Sequence, residues 1–176
     1  MNLPNRLTMV RIFLIPLFVA VVTLKIPYGD YIAAGVFILA ASTDGLDGYI
    51  ARKRKMVTNL GKLMDPLADK LLVSAALIVL TELQRLPGWV TLIIVGREFA
   101  VTGLRALAVA DGIVIAAGWL GKIKTVTQIV AIVALFIYNL PPLLSYTAVT
   151  AAVFFTLWSG WDYFYRSWSV IKKDGY

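Results

Sequence analysis

Apolar stretches of about 20 residues, the length a membrane helix needs, recur along the chain and alternate with short polar or turn-forming segments. They predict spans near 8–26, 31–51, 64–83, 89–110, 120–140 and 146–168. The breaks fall at Pro27-Tyr28-Gly29, Pro87-Gly88, Asp111-Gly112, 118–121 and Pro141-Pro142, where glycine and proline interrupt regular structure. No linker, low-complexity stretch or internal repeat separates these segments. The expected fold is therefore an all-α integral membrane protein of six transmembrane helices, one transmembrane domain over 1–176. The opening Asn2-Leu-Pro-Asn5-Arg-Leu-Thr8-Met-Val-Arg11 is polar and is expected at the interface, before the first helix enters the bilayer. Pro4 and Asn5 precede the apolar run with no A-x-A-like cleavage site, so that span is expected to stay in the mature protein.

Composition sharpens this picture. The chain is 60% hydrophobic and 15% charged, whereas ordinary soluble domains are about 45–50% apolar and about 25% charged. Cysteine and histidine are both absent. Disulfides, thiolate nucleophiles, imidazole bases and the usual zinc ligands are thereby excluded, and any metal must be held by oxygen: magnesium, manganese or calcium.

The net charge of +7 is unevenly spread. Lys25 and Arg85 fall in the loops after the first and third spans; Arg6, Arg52, Lys53, Arg54, Lys55, Lys62, Lys122, Lys124, Lys172 and Lys173 fall on the opposite side. The positive-inside rule then places both termini and the basic loops in the cytoplasm, and 52–55, Lys172 and Lys173 also suit contact with anionic membrane lipid. No soluble basic face exists to bind nucleic acid. Trp158, Trp161, Tyr163, Tyr165, Trp168 and Tyr176 read as an aromatic belt at the last cytoplasmic helix end.

One passage breaks the apolar pattern at fixed intervals: Asp44-x-x-Asp47-Gly48-x-x-Ala51-Arg52, eight residues, then Gly61-x-x-x-Asp65-x-x-x-Asp69. An aspartate at the centre of a membrane helix costs roughly 2.5–3.5 kcal/mol even on lenient insertion scales, so a group of them calls for a compensating partner such as a divalent cation. Positions 44, 47 and 48 are i, i+3 and i+4 on a helix, and 61, 65 and 69 are successive i+4 steps, so each set lines one face. Two antiparallel helices joined by the basic stretch 52–55 would each present two carboxylates to a common cleft. Gly48 and Gly61 lie on the same faces, where a missing side chain lets a ligand approach the backbone.

A second polar group, Arg97, Glu98 and Arg105, interrupts the fourth span, and Lys122, Lys124, Thr125 and Gln128 open the fifth. Glu98 and Arg105, seven apart on one face, are expected either to form a structural salt bridge or to leave Arg105 to a ligand. Arg97, Arg105, Lys122 and Lys124 outnumber the carboxylates available to them, and several cations around one cleft suggest an anionic substrate, most plausibly a phosphate.

The run 44–69 resembles the complete signature of the CDP-alcohol phosphotransferase family, membrane enzymes of six helices that usually form homodimers. The segments Asn2-Leu-Pro-Asn-Arg-Leu-Thr8, Gly61-Lys-Leu-Met-Asp-Pro-Leu-Ala-Asp-Lys70, Gly96-Arg-Glu-Phe-Ala-Val-Thr-Gly-Leu-Arg105 and Gly121-Lys-Ile-Lys-Thr-Val-Thr-Gln128 are similar to its bacterial phosphatidylglycerophosphate synthase branch. The resemblance covers about three quarters of the chain, and the last helix is generic. It implies transfer of the phosphatidyl group from CDP-diacylglycerol to sn-glycerol 3-phosphate, with release of CMP. It implies two divalent ions, Mg²⁺ or Mn²⁺, on Asp44, Asp47, Asp65 and Asp69, with Asp69 also the general base or only a ligand. It makes Gly48 and Gly61 the nucleotide's backbone contacts, Arg52 a pyrophosphate contact and Ala51 a packing residue.

Arg97, Arg105, Lys122 and Lys124 are expected to hold the acceptor's phosphate, with Arg105 and Lys124 the better placed. Thr8 and Arg11 either help close the pocket or serve as helix cap and snorkelling side chain. The rivals are the same chemistry on phosphatidylglycerol or inositol phosphate, and a cation transporter, which predicts carboxylates at mid-bilayer on paired repeats.

Overall fold

The computed structural model describes residues 3–24, 26–54, 59–110, 118–137 and 139–167, with their side chains except those of 3–7, 44–54, 59–63, 65 and 110. Six helices follow one another in these residues: α1 Leu3–Thr23, α2 Gly29–Arg54, α3 Asn59–Glu82, α4 Gly88–Ala110, α5 Trp119–Phe136 and α6 Pro142–Arg166. Each expected span falls on one of them, and no strand occurs among the described residues. The differences lie at the ends. The polar opening is already helical from Leu3, because a helix needs no apolar run until it enters the bilayer. α5 stops at Phe136 rather than 140, since the prolines at 141 and 142 disfavour helix in the residues before them. Pro142 in turn starts α6, where its missing N–H has no role to lose.

The chain divides into two compact units, 1–86 with 132–140 and 87–131 with 141–176. In the first, α1 packs against α2 and α3, and α2 against α3. Phe18, Phe37 and Phe136 are fully buried, with ring centroids 6.0 Å apart for Phe18–Phe37 and 5.6 Å for Phe18–Phe136. Ala33 and Ala40 on α2 and Ala68 and Ala76 on α3 are also fully buried, and these small side chains let helix backbones approach closely.

α3 ends in a Schellman turn: Arg85 N–H bonds the Leu80 carbonyl and Gln84 N–H that of Thr81, with Gln84 left-handed at φ 58°. That turn delivers Arg85 to Asp30, Nη2 to Oδ2 at 2.7 Å, while Nη1 reaches the Leu135 carbonyl at 3.4 Å.

In the second unit α4 packs on α6. Val90, Ile94, Glu98, Val101, Leu104 and Ala108 form the buried stripe of α4, spaced three or four apart as a helix requires. The buried face of α6 is Ala152, Thr156, Ser159, Gly160 and Tyr163, and Gln128 of α5 donates to Thr156 Oγ1 at 3.0 Å.

The outer surface is that of a membrane protein. α5 and α6 are each long and apolar enough to cross a bilayer, yet only 33% and 22% of their apolar windows are buried. A soluble core helix of that composition would be mostly covered. Phe13, Leu39, Ile78, Leu92, Val126 and Phe154 all stand exposed, which hydrocarbon tolerates and water does not.

Candidate acidic motif and cation cluster

The motif occupies two helix ends in the first unit. Asp44, Asp47, Gly48, Ala51 and Arg52 lie in the last turns of α2, and Gly61, Asp65 and Asp69 in the first turns of α3. Each of these eight positions is therefore helical backbone. The steps 44 to 47 and 65 to 69 put each pair of positions on one side of its helix backbone, and α2 and α3 pack on each other. Pro66 removes one helical hydrogen bond next to Asp65. The side chains of Asp44, Asp47, Gly48, Arg52, Gly61 and Asp65 lie outside the described residues; Asp69 is part-buried.

α1 supports the start of this motif. Arg11 is fully buried and Thr8, one turn earlier, is 2% exposed. Arg11 Nε donates to Thr43 Oγ1 at 3.2 Å, and Thr43 immediately precedes Asp44. Both bland readings of this pair are thereby corrected. A side chain with no exposure does not snorkel, and Thr8 sits inside α1, which begins at Leu3, so it caps nothing.

The donor set suits a hard divalent cation. Aspartate oxygens match Mg²⁺ or Mn²⁺, and a chain without histidine or cysteine offers no softer competitor.

The second unit carries a buried cluster of opposite character. Glu98 on α4 is 9% and Lys124 on α5 6% exposed. Lys124 Nζ donates to Glu98 Oε1, and Arg97 Nη1 reaches the same oxygen at 3.4 Å. Arg97 Nε is buried without a hydrogen-bond partner. Arg105, two turns further along α4, donates from Nε to the Tyr163 hydroxyl at 3.1 Å, its guanidinium carbon 5.4 Å from the ring centroid. Arg97 and Lys124 thus share the Glu98 carboxylate, while Arg105 rests on Tyr163. Lys122 is apart from them, exposed with Nζ 5.8 Å from the Trp119 ring centroid.

The expected Glu98–Arg105 bridge does not form. Seven residues of helix separate their backbones by about 10 Å, while Arg97 is adjacent and α5 brings Lys124 within reach. Arg97 and Lys124 instead share that one carboxylate. Tyr163 also departs from the aromatic belt: it is 7% exposed, whereas Trp161 and Tyr165 beside it are each 77% exposed. Sequence reasoning missed Tyr163, Gly160 and the Asp30–Arg85 pair, since nothing local marks any of them.

Comparison with known proteins covers nearly the whole chain. The sequence model of the CDP-alcohol phosphatidyltransferase family matches residues 1–158. A Bacillus subtilis protein named CDP-diacylglycerol--glycerol-3-phosphate 3-phosphatidyltransferase is 48% identical, over 98% of this chain and 98% of its own. A Pseudomonas fluorescens protein of the same name is 37% identical over 99% of this chain and 94% of its own. A Mycobacterium tuberculosis protein named probable phosphatidylglycerophosphate synthase is 41% identical over 94% and 81%.

Proposed function

Because the chain belongs to the CDP-alcohol phosphatidyltransferase family, we propose that it transfers the phosphatidyl group of CDP-diacylglycerol to sn-glycerol 3-phosphate, giving phosphatidylglycerophosphate and CMP. The observation that carries this reading is the 48% identity, end to end, with a relative named for that reaction. The complete aspartate signature on α2 and α3 supports it.

Asp44, Asp47, Asp65 and Asp69 would hold two divalent ions, Mg²⁺ or Mn²⁺, which would supply positive charge to offset the negative charge that develops on the pyrophosphate oxygens. Gly48 and Gly61 let the cytidine nucleotide lie against backbone, and Arg52 contacts the pyrophosphate. Thr8 and Arg11 close the pocket beside the first motif turn. The acceptor hydroxyl oxygen bonds to the lipid-bearing phosphorus as the bond from that phosphorus to the CMP oxygen breaks. Asp69 takes the hydroxyl proton, since the chain offers no histidine for the task. A carboxylate among cations is a weak base, so the proton moves late, when the hydroxyl is already acidified by bond formation.

Arg97, Arg105 and Lys124 bind the acceptor phosphate, and exposed Lys122 adds attraction at the start of α5. With six helices crossing the bilayer, the termini and basic loops face the cytoplasm of a bacterial cell. The working form is a homodimer.

The test is CMP release by detergent-purified protein given CDP-diacylglycerol and Mg²⁺ or Mn²⁺, with and without glycerol 3-phosphate, the lipid product being identified by mass spectrometry. Release should require glycerol 3-phosphate, yield phosphatidylglycerophosphate and vanish in Asp65→Asn. Release only with phosphatidylglycerol or inositol phosphate would move the acceptor, and no release with any alcohol would sink the reading.

A further inference from the structure

The family match ends at residue 158, yet α6 continues beyond it with two residues seated against the arginines of α4. Tyr163 packs with Val101 and Leu104 in one buried cluster. It meets Arg105 twice: the hydroxyl accepts from Nε at 3.1 Å, and the guanidinium carbon lies 5.4 Å from the ring centroid. The hydroxyl and the ring face together fix the plane of the guanidinium. The bond uses Nε, so neither Nη amine is spent on it.

Gly160, three residues earlier on the same face of α6, makes room for the stem of Arg97. A Cβ at Gly160 would fall 3.2 Å from Arg97 Cγ and 3.7 Å from its Nε. That Nε is itself buried without a hydrogen-bond partner, a costly arrangement for a charged group and one that an anion would relieve. Arg97 and Arg105 are eight apart on α4 and share a side of it, so the small and aromatic positions of α6 match the two arginines in register.

We propose that the Gly160–Tyr163 face of α6 is a positioning surface that presets Arg97 and Arg105 for the phosphate monoester of the acceptor. The inference rests on the reading that these arginines bind that phosphate. Gly160 and Tyr163 touch no substrate. They act by holding long side chains that otherwise lose rotamer freedom on binding, so their effect belongs in acceptor affinity and not in the chemical step.

The experiment is steady-state kinetics on wild type, R105Q, Y163F, the R105Q/Y163F double variant and G160A, each substrate varied in turn, with thermal unfolding of every variant. R105Q should raise KM for glycerol 3-phosphate about tenfold or more, and Y163F, which keeps the ring, about three- to tenfold. kcat and KM for CDP-diacylglycerol should stay within about twofold. The double variant should match R105Q alone, because Tyr163 acts only through that arginine. G160A, which pushes on Arg97, should raise the acceptor KM about two- to fivefold.

If R105Q shifts the acceptor KM but Y163F and G160A leave it unchanged, or the double variant is additive, the role of α6 is overturned while that of Arg105 stands. A fall in unfolding temperature with kcat and both KM values moving together would reduce Tyr163 to packing, which also overturns it. Should R105Q itself leave the acceptor KM alone, the phosphate-binding reading fails first and the inference falls with it.

Discussion

The ends of α2 and α3 and the buried stripe of α4 to α6 both place charge in a membrane protein, but by different means. On α2 and α3 the aspartates are positioned by their spacing along a helix, three or four residues apart, which is a local property. On α4 to α6 the partners lie 26 residues apart for Lys124 and Glu98 and 58 for Arg105 and Tyr163. The first region gathers four aspartates on two helix ends; in the second, two cations share Glu98 and a third, Arg105, rests on Tyr163. A spacing rule suffices where one helix supplies the ligands, and fails where packing chooses the partner.

The largest effect that would sharpen this contrast is expected from Asp44→Asn. If the motif is a ligand set and not a structural one, kcat should fall by about 10³-fold or more with the unfolding midpoint unchanged. A chelator should do the same to the wild type, and added Mg²⁺ or Mn²⁺ should restore it. Activity above a tenth of wild type in the variant would break the reading of the spacing.

Next in size is Glu98→Gln. Removing the carboxylate shared by Lys124 and Arg97, both about nine-tenths buried, deprives both buried cations of this ion pair and should cost about 3 kcal/mol of stability. The loss should be partly recovered by adding Lys124→Met, which removes one of these buried charges. Equal stability of Glu98→Gln and wild type in chemical or thermal unfolding would show that the cluster is not held by this pairing.

The six helices were readable because apolar length is a local signal, and the motif because aspartate is so rare in such runs. The α6 face was not readable, for a reason particular to membrane helices. Its buried stripe is Ala152, Thr156, Ser159, Gly160 and Tyr163, small or polar residues, while Phe154, Leu157 and Trp161 point outward. Apolar periodicity therefore marks the lipid side and says nothing of the packed side. Likewise Tyr163 stands between Trp161 and Tyr165 with the same chemistry, and only the packing of α6 on α4 separates them. The helical backbone of α1 extends past its apolar span to Leu3 because polar residues at an interface form helix as readily as loop.

The smallest effect comes from an ion pair of the first unit, Asp30 with Arg85. It is one acid and one base, 27% and 28% exposed, beside an open cavity of ≈ 540 Å³ that Tyr28, Tyr31 and Asn139 also line. Water reaches both charges, so either can be solvated when the other is removed. Arg85 keeps its bond to the Leu135 carbonyl and its place in the turn after α3 whatever stands at position 30. Asp30→Asn should therefore cost about 0.5–1 kcal/mol, should shrink with added salt, and should leave CMP release untouched. Glu98→Gln should show no such salt dependence, because its partners are screened by protein and not by ions. A loss from Asp30→Asn as large as that from Glu98→Gln would mean that pairing alone sets the energetics of both regions. A several-fold gap means that burial does.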